Sequence, residues 1–154
     1  RVANAFKSAY GQRGGSIRSD VLYPNRTDSY AALIKRVLAE HDGHFDMVFL
    51  AASPTQARMI YPLLRQNGAD AVPVYATSHI FSGRPFPAND SSLNGIIYTE
   101  IPGVLDAIVS QKPFNGRYPR LHALGMDAYL ISRNLSQLKH GGALNGKTGR
   151  IRYS

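Results

Sequence analysis

Apolar residues return at helical spacing in four stretches of the chain, within residues 2–10, 30–38, 57–64 and 121–138. Steps of three and four positions place such residues on one face of a helix. The members are Val2, Ala5, Phe6, Ala9 and Tyr10, then Tyr30, Leu33, Ile34, Val37 and Leu38, then Ala57, Ile60, Tyr61 and Leu64, and finally Leu121, Leu124, Ala128, Ile131, Leu135 and Leu138. Each stretch predicts a helix with one inward face, and residues 104–111 predict a shorter helix.

Four short runs between these helices predict strands, at Ser16–Tyr23, Asp46–Ala51, Val72–Ala76 and Gly95–Glu100. The second run is continuously apolar after its first residue, as in strands that are buried on both faces of a parallel sheet. The segment 144–151, which is rich in glycine, predicts a final strand or hairpin. Helices that alternate with strands predict a mostly parallel α/β sheet.

The junction after the second predicted strand carries clear helix signals. Ser53 fits the N-cap, Pro54 fits the first turn, and Gln56 completes a capping box. Pro62 conflicts with the helix that follows, because its ring should clash with a carbonyl one turn earlier, so we expect a kink or an early break. The Gly-, Pro-, Asn- and Ser-rich stretch 82–92 predicts a loop.

The order of elements has one irregularity, since the chain begins with a helix where the pattern requires a strand. We therefore expect the sheet to be incomplete at its centre, and either to pair with another chain or to belong to a larger molecule. The start at Arg1, without an initiator Met or an apolar leader, favours a piece of a longer precursor.

Composition narrows the function classes. The 154 residues suit one domain, 1–154, and contain no cysteine, which excludes disulfides and thiolate chemistry. The net charge is +8, but the basic residues are scattered singly, so we predict a solvated basic surface and no dedicated nucleic-acid binding. No apolar run approaches the roughly 20 residues of a membrane helix, so we expect this stretch itself to be soluble.

Candidate chemistry is sparse. The chain has no P-loop, GxGxxG, GxSxG or HExxH motif. The segment 51–55 precedes a helix and could attract an anion, yet the capping box already satisfies that helix end, which favours a plain cap. The cluster Glu40–His44 lacks further ligands, so no metal site is predicted. Asp127 is expected near the apolar stripe, paired with Arg120 or a backbone group, or at the helix edge. We predict no catalytic residue, no cofactor and no enzyme.

Three segments resemble the type I periplasmic binding proteins: 1–15 resembles the first helix of the second lobe, 122–129 the start of a late helix, and 144–149 the closing glycine-rich turn. Within that superfamily the chain resembles the LppC/LpoA-type lipoproteins. The residues that carry this likeness are Ala51–Arg58 with Pro62, Tyr98–Pro102 and Ala123–Tyr129.

The resemblance implies a three-layer, flavodoxin-like α/β sandwich, one lobe of a binding-protein-like domain. It implies a non-enzymatic activator of a class A penicillin-binding protein in peptidoglycan synthesis. Such a protein is lipid-anchored on the periplasmic side of the outer membrane, through an N-terminal anchor that lies outside this sequence.

The alternative is a periplasmic solute-binding protein of an ABC transporter. In that class the crevice of the resembled fold holds an amino acid or another small ligand, and the corresponding residues here are Ser53, Thr55, Gln56, Ser78 and Tyr98. Amino-acid binders of this type typically carry a glutamate just after the proline, and this chain has Thr55 there. A desolvated ammonium group needs an anion or several oriented acceptors, so the substitution weakens the amino-acid hypothesis. Binding of a neutral or an anionic ligand remains an alternative.

Overall fold

The computed structural model describes residues 1–24, 30–40, 44–85, 87–112, 114 and 118–153. It divides the chain into two compact units, the first made of residues 1–81 and 86–98 and the second of residues 82–85 and 99–154. That both units belong to one lobe, 1–154, stays a prediction.

The first unit alternates helices and short strands. Its elements are α1 (Val2–Gln12), α2 (Tyr30–Glu40), β1 (Val48–Leu50), α3 (Pro54–Leu64), β2 (Val74–Ala76), α4 (Pro87–Asp90) and β3 (Ile96–Tyr98). The strands form one parallel sheet in the order β1-β2-β3, with Val48 opposite Val74 and Val74 opposite Ile96. The predicted α/β class with a parallel sheet is confirmed, although each strand is shorter than its apolar run.

The core of this unit lies where α2 and α3 cover the sheet. Both helices bury the apolar face that their spacing predicts. The buried members are Tyr30, Ile34 and Leu38 on α2, Ala57, Ile60, Tyr61 and Leu64 on α3, and Leu50, Val74 and Ala76 on the strands. Burying side chains of this size contributes about 1.5–3 kcal/mol each to folding, so these two helices supply most of the unit's hydrophobic stabilisation.

The part of the first unit before α2 differs from prediction. The predicted strand Ser16–Tyr23 is wrong, since its residues pair with no described strand. Helix α1 forms as predicted but buries none of its residues, and Phe6 instead stacks on Phe49 with ring centroids 3.8 Å apart. An extended segment becomes a strand only when a neighbour supplies hydrogen bonds, and no described strand adjoins this one.

Two local expectations in the first unit are also corrected. The expected early break at Pro62 does not occur, and α3 continues to Leu64, where a wider π-type turn, Arg65–Ala69, follows with Gly68 at φ 97°. The expected kink at Pro62 stays a prediction. The predicted loop 82–92 contains α4 and a short 3₁₀ turn, Ser91–Leu93. A turn-rich composition therefore did not prevent short helical turns.

The second unit contains α5 (Pro102–Val109), α6 (Pro119–Arg133), α7 (Leu135–Lys139) and an antiparallel hairpin of β4 (Ala143–Asn145) and β5 (Arg150–Arg152). The predicted closing hairpin and the longest helix, which begins at Pro119, are confirmed. Asn134 separates α6 from α7, so the predicted continuous helix is two helices.

The apolar stripe of α6 does not face inward as predicted. Leu121 is 63% exposed and Leu124 is 56% exposed, whereas the buried residues are Pro119, Ala123 and Asp127. These three residues lie at successive i, i+4 positions on the opposite side of the helix. Of the predicted stripe, Leu138 on α7 is buried. The described part of this unit contains nothing that covers the leucines, so the periodicity was right and the predicted burial was wrong.

Candidate functional site

The carboxyl ends of β1 and β2 form the edge at which open α/β sheets usually hold ligands. The chain leaves β1 through Ala51 and Ala52 into Ser53, and leaves β2 through Thr77 into a 3₁₀ turn, Ser78–Ile80. A cavity of about 260 Å³ lies between these two exits. It is lined by Val2, Ala51, Ala52, Ser53, Thr77 and His79.

The polar groups of Ser53 are already engaged at this edge. Its Oγ accepts a hydrogen bond from the Gln56 backbone N–H at 3.4 Å, and its own N–H donates to Gln56 Oε1 at 3.1 Å. The hydroxyl also donates to Gln56 Oε1 at 2.9 Å. This is the predicted capping box, and it uses the side chains that a ligand at the helix N-terminus would need.

The structure brings only one of the five predicted crevice residues into the cavity lining, namely Ser53. Thr55 is exposed on the first turn of α3, and Gln56 completes the capping box. Ser78 lies in the 3₁₀ turn, and the ring of Tyr98 packs against Phe81 with centroids 5.7 Å apart. The role of these residues in ligand binding stays a prediction.

Sequence reasoning missed Thr77, His79 and Val2 as cavity residues. Thr77 Oγ1 and His79 Nδ1 lie 3.5 Å apart at the exit from β2. A signal was available for this pair, because residues that follow neighbouring parallel strands meet at the same edge of the sheet. Val2 had no such signal, since its position depends on how α1 packs.

A second polar site lies in the second unit, where Asp127 holds the turn between β4 and β5. Its carboxylate accepts hydrogen bonds from the backbone N–H groups of Lys147 at 2.6 Å and Thr148 at 2.7 Å. It also accepts the Thr148 hydroxyl at 2.6 Å. The predicted backbone partner is thereby found, and Asp127, only 3% exposed, is buried.

Two glycines permit the close approach around this turn. A Cβ on Gly146 would lie 2.5 Å from Asp127 Oδ2, and a Cβ on Gly103 would lie 2.8 Å from the Lys147 carbonyl oxygen. That carbonyl accepts the Gly103 N–H at 2.7 Å. The turn is therefore tied to α6 by a carboxylate and to α5 by its backbone.

The pKa of Asp127 is set by two opposing effects. Burial raises the pKa of the carboxyl, but the hydrogen bonds from Thr148 and Lys147 stabilise the anion more, so the pKa lies below the ordinary value of 3.8. The carboxylate is therefore ionised at neutral pH and accepts all three hydrogen bonds. This arrangement fastens the turn and offers no free acid or base for chemistry.

Arg120, the other predicted partner of Asp127, binds Glu100 instead. Arg120 Nε donates to Glu100 Oε1 at 3.0 Å, and a second, short contact joins Nη2 to Oε2. The Glu100 side chain is fully buried, and Oε1 also accepts the Ile101 N–H at 2.9 Å. Such a two-point ion pair fixes the entry to α5 against α6.

The remaining candidates yield no site in the described part of the chain. The cluster Glu40–His44 includes residues 41–43, which lie outside the described residues. No group of three or more His, Asp or Glu residues with metal-binding geometry occurs among the residues that the structure describes. Within the same residues, no helix combines the length and the apolar character that crossing a bilayer requires.

The parallel sheet and its capped strand-to-helix junction define an α/β protein. The solved C-domain of LpoA (YraM) from Haemophilus influenzae, described as a regulator of PBP1A, matches with a TM-score of 0.67 and 22% identity, covering 99% of this chain and 50% of that one. Full-length LpoA from the same organism matches with a TM-score of 0.68 at 22% identity, over 99% of this chain and 29% of that protein. These likenesses establish the fold.

The chain belongs to the LppC family, whose profile, described as "LppC putative lipoprotein", matches residues 25–153. Curated relatives named penicillin-binding protein activator LpoA occur in Dickeya chrysanthemi (29% identical, 85% of this chain and 20% of the relative) and Enterobacter sp. strain 638 (30%, 71% and 17%). A Vibrio vulnificus relative of the same name is 34% identical over 68% of this chain and 19% of its own length. The chain thus spans about a fifth of these relatives.

Proposed function

We propose that this chain is part of an activator of a class A penicillin-binding protein, and that it acts through protein contacts without catalysing a reaction itself. The match of the LppC family to residues 25–153 carries the proposal. Relatives that match this chain are named activators, which supports an activating role and a penicillin-binding protein as partner. We further propose a lipid anchor in the outer membrane, with this α/β region on the periplasmic side.

The geometry of the polar residues supports a role as an interaction domain. The buried carboxylates Asp127 and Glu100 bind backbone amides and an arginine, and the Ser53–Gln56 pair caps a helix. Each of these groups stabilises the fold, so none of the three is left to act as an acid, a base or a nucleophile. The same use of Ser53 and Gln56 makes small-molecule binding the weaker of the two functions.

A reconstituted synthesis reaction tests the proposal. Full-length protein is added to a purified class A synthase with lipid-linked disaccharide substrate, and the length of glycan strands and the extent of crosslinking are measured. We expect a several-fold increase in product. No increase, together with no co-purification of the two proteins, would contradict the proposal.

A matched pair of variants links the effect to this chain. Ala57→Asp places a charge at a fully buried position of α3, whereas Ala32→Asp makes the same change at an exposed position of α2. An unpaired charge in the core should disrupt the first unit, and an exposed one should not. We expect Ala57→Asp to abolish the stimulation and Ala32→Asp to retain it. Equal stimulation by both would show that the first unit is not required.

A further inference from the structure

Charge is distributed unevenly between the two units. The first unit carries nine Lys and Arg residues against seven Asp and Glu, a net charge of +2, and the second carries nine against three, a net charge of +6. The second unit also uses two of its three acids internally, since Glu100 binds Arg120 and Asp127 binds backbone amides. Of this unit's acids, all of which the structure describes, only Asp106 is exposed. The surface of the second unit is therefore strongly cationic, which favours an anionic partner.

Two of these cations lie side by side on the closing hairpin. Arg150 and Arg152 are exposed on β5, with the half-buried Ile151 between them. Successive side chains of a strand point to opposite faces, so both arginines lie on the outer face, about 6.7 Å apart along the strand. Across the hairpin they lie opposite Asn145 and Ala143, whose uncharged side chains compensate neither guanidinium group. Among the described residues, neither arginine forms an ion pair.

Two further exposed side chains border this pair. Tyr153, directly after β5, is 63% exposed. Lys139, the last residue of α7, is exposed and lies four residues before Ala143, the strand partner of Arg152. Arginine and tyrosine are among the residue types that most often dominate the binding energy of protein interfaces. The set Lys139, Arg150, Arg152 and Tyr153 is called the arginine face below.

The composition of the arginine face favours a folded protein over a membrane. Anionic membranes are typically recognised by clusters of about four to eight Lys or Arg residues, or by a basic amphipathic helix. The arginine face has fewer cations, and its two guanidinium groups lie on a hairpin whose turn is held by Asp127 through the amides of Lys147 and Thr148. Guanidinium groups on such a preorganised support suit carboxylates that are themselves held in place, because each pair can form two parallel hydrogen bonds.

We propose that the arginine face docks an acidic surface of the class A penicillin-binding protein, an inference that rests on the proposed function. Carboxylates of the partner accept hydrogen bonds from the two guanidinium groups, and the Tyr153 ring supplies contact area beside them. Attraction between opposite charges raises the rate of association, and salt weakens it. The affinity for the synthase therefore depends on the arginine face and falls as the ionic strength rises.

A paired charge reversal tests the docking surface. Full-length protein that carries Arg150→Glu and Arg152→Glu is compared with the native protein for its Kd with the purified synthase. Reversing two interface arginines should raise the Kd at least about 30-fold. The matched control, Arg13→Glu with Lys35→Glu, makes the same charge change at exposed positions of the first unit and should leave the Kd within about two-fold. An unchanged Kd in the Arg150 and Arg152 variant, or an equal rise in both variants, would overturn the proposal.

The fold of the reversed hairpin is checked in the same samples. Protection of the Lys147 and Thr148 amides from hydrogen exchange should be unchanged, because these amides bind Asp127 and not the arginines. If that protection falls, the milder Arg150→Gln with Arg152→Gln is measured instead. Its Kd should rise about ten-fold, and no rise would overturn the proposal.

Two further comparisons separate this inference from the proposed function. Native protein that neither binds nor stimulates the synthase would overturn both, whereas stimulation that survives the charge reversal would overturn the inference alone. Vesicles of phosphatidylglycerol and purified peptidoglycan are tested in parallel, and we expect the charge reversal to change binding to them far less than binding to the synthase. If the reversal abolishes binding to either of them and leaves synthase binding intact, the arginine face serves that anionic surface and the proposal is overturned.

Discussion

Helices α3 and α6 start alike and pack differently. Each begins with a proline in its first turn, and each carries an apolar stripe at helical spacing. In α3 that stripe is buried against the sheet and α2, and the Ser53 capping box closes its start. In α6 the stripe is exposed, and the helix is held from its other side by Ala123 and the carboxylate of Asp127.

The difference shows what hydrophobic periodicity does and does not predict. The spacing requires that a helix has an apolar side, which both helices have. It does not state what covers that side, because the cover comes from distant parts of the chain or from another molecule. For α3 the cover lies in the same unit. For α6 the described part of the second unit does not provide it.

The largest effect in this comparison is expected for Leu64→Ala in α3. Leu64 is only 7% exposed, so the change deletes buried methyl groups and leaves a cavity. We expect the first unit to lose about 3 kcal/mol of its free energy of unfolding. Urea denaturation followed by far-UV circular dichroism, with hydrogen exchange of α2 and α3 as the local readout, measures this loss. A change below about 0.5 kcal/mol would contradict the burial of α3.

The sequence predicted the elements whose causes are local. The capping box needs only Ser53, Pro54 and Gln56, and the hairpin of β4 and β5 was predicted from the glycines of its turn. The sequence did not predict the features that depend on distant partners. Ser16–Tyr23 was predicted as a strand but has no described strand beside it, and the partners of Asp127 lie twenty and twenty-one residues further along the chain.

The candidate site divides in the same way. Ser53 was predicted because the resembled fold places this strand-to-helix junction at its crevice. The residues that share its cavity, Thr77, His79 and Val2, come from β2 and α1, so they meet Ser53 only after the sheet has formed. One clear strand-to-helix junction in a sequence therefore identifies the residues on one side of such a cavity. The residues on the other side follow the neighbouring strand and are found only from the structure.

Asp127→Ala should have the next largest effect, on α6. The substitution leaves two backbone N–H groups and the Thr148 hydroxyl without their acceptor. Hydrogen bonds to charged groups contribute about 1.5–3 kcal/mol, so we expect the second unit to lose about 2 kcal/mol. Hydrogen exchange of the Lys147 and Thr148 amides measures this loss. Asp106→Ala, at an exposed position of α5, serves as the control. Unchanged protection of both amides would show that Asp127 does not hold the turn.

The contribution of Asp127 should also depend on pH. Its folded-state pKa is lower than the ordinary value of 3.8, so the folded state binds fewer protons than the unfolded state in acid. The stabilisation is fully present above about pH 5 and is lost as the pH falls through 3.8 and then the lower folded-state pKa. The stability difference between the native protein and Asp127→Asn, measured from pH 7 to pH 2.5, should shrink in that range. A constant difference would contradict the assignment.

The Ser53 cap should show a smaller effect on α3. Ser53→Ala removes the acceptor for the Gln56 N–H and should cost about 1 kcal/mol, since N-cap serines typically contribute that amount. Ser53→Asp keeps an acceptor at the helix start and should retain most of the stability. The midpoint of urea denaturation distinguishes the two variants. If Ser53→Ala has no effect, the capping box contributes less than its geometry indicates.

The smallest effect is expected for Leu121→Ala in α6, which makes the same chemical change as Leu64→Ala in α3. Leu121 is 63% exposed, so truncation removes little buried surface and leaves no enclosed cavity, and alanine has the higher helix propensity. We expect the free energy of unfolding to change by no more than about 0.5 kcal/mol. A loss as large as that of Leu64→Ala would mean that the stripe is covered in solution. The same leucine-to-alanine change in α3 and α6 thus measures whether other residues cover the apolar stripe of each helix.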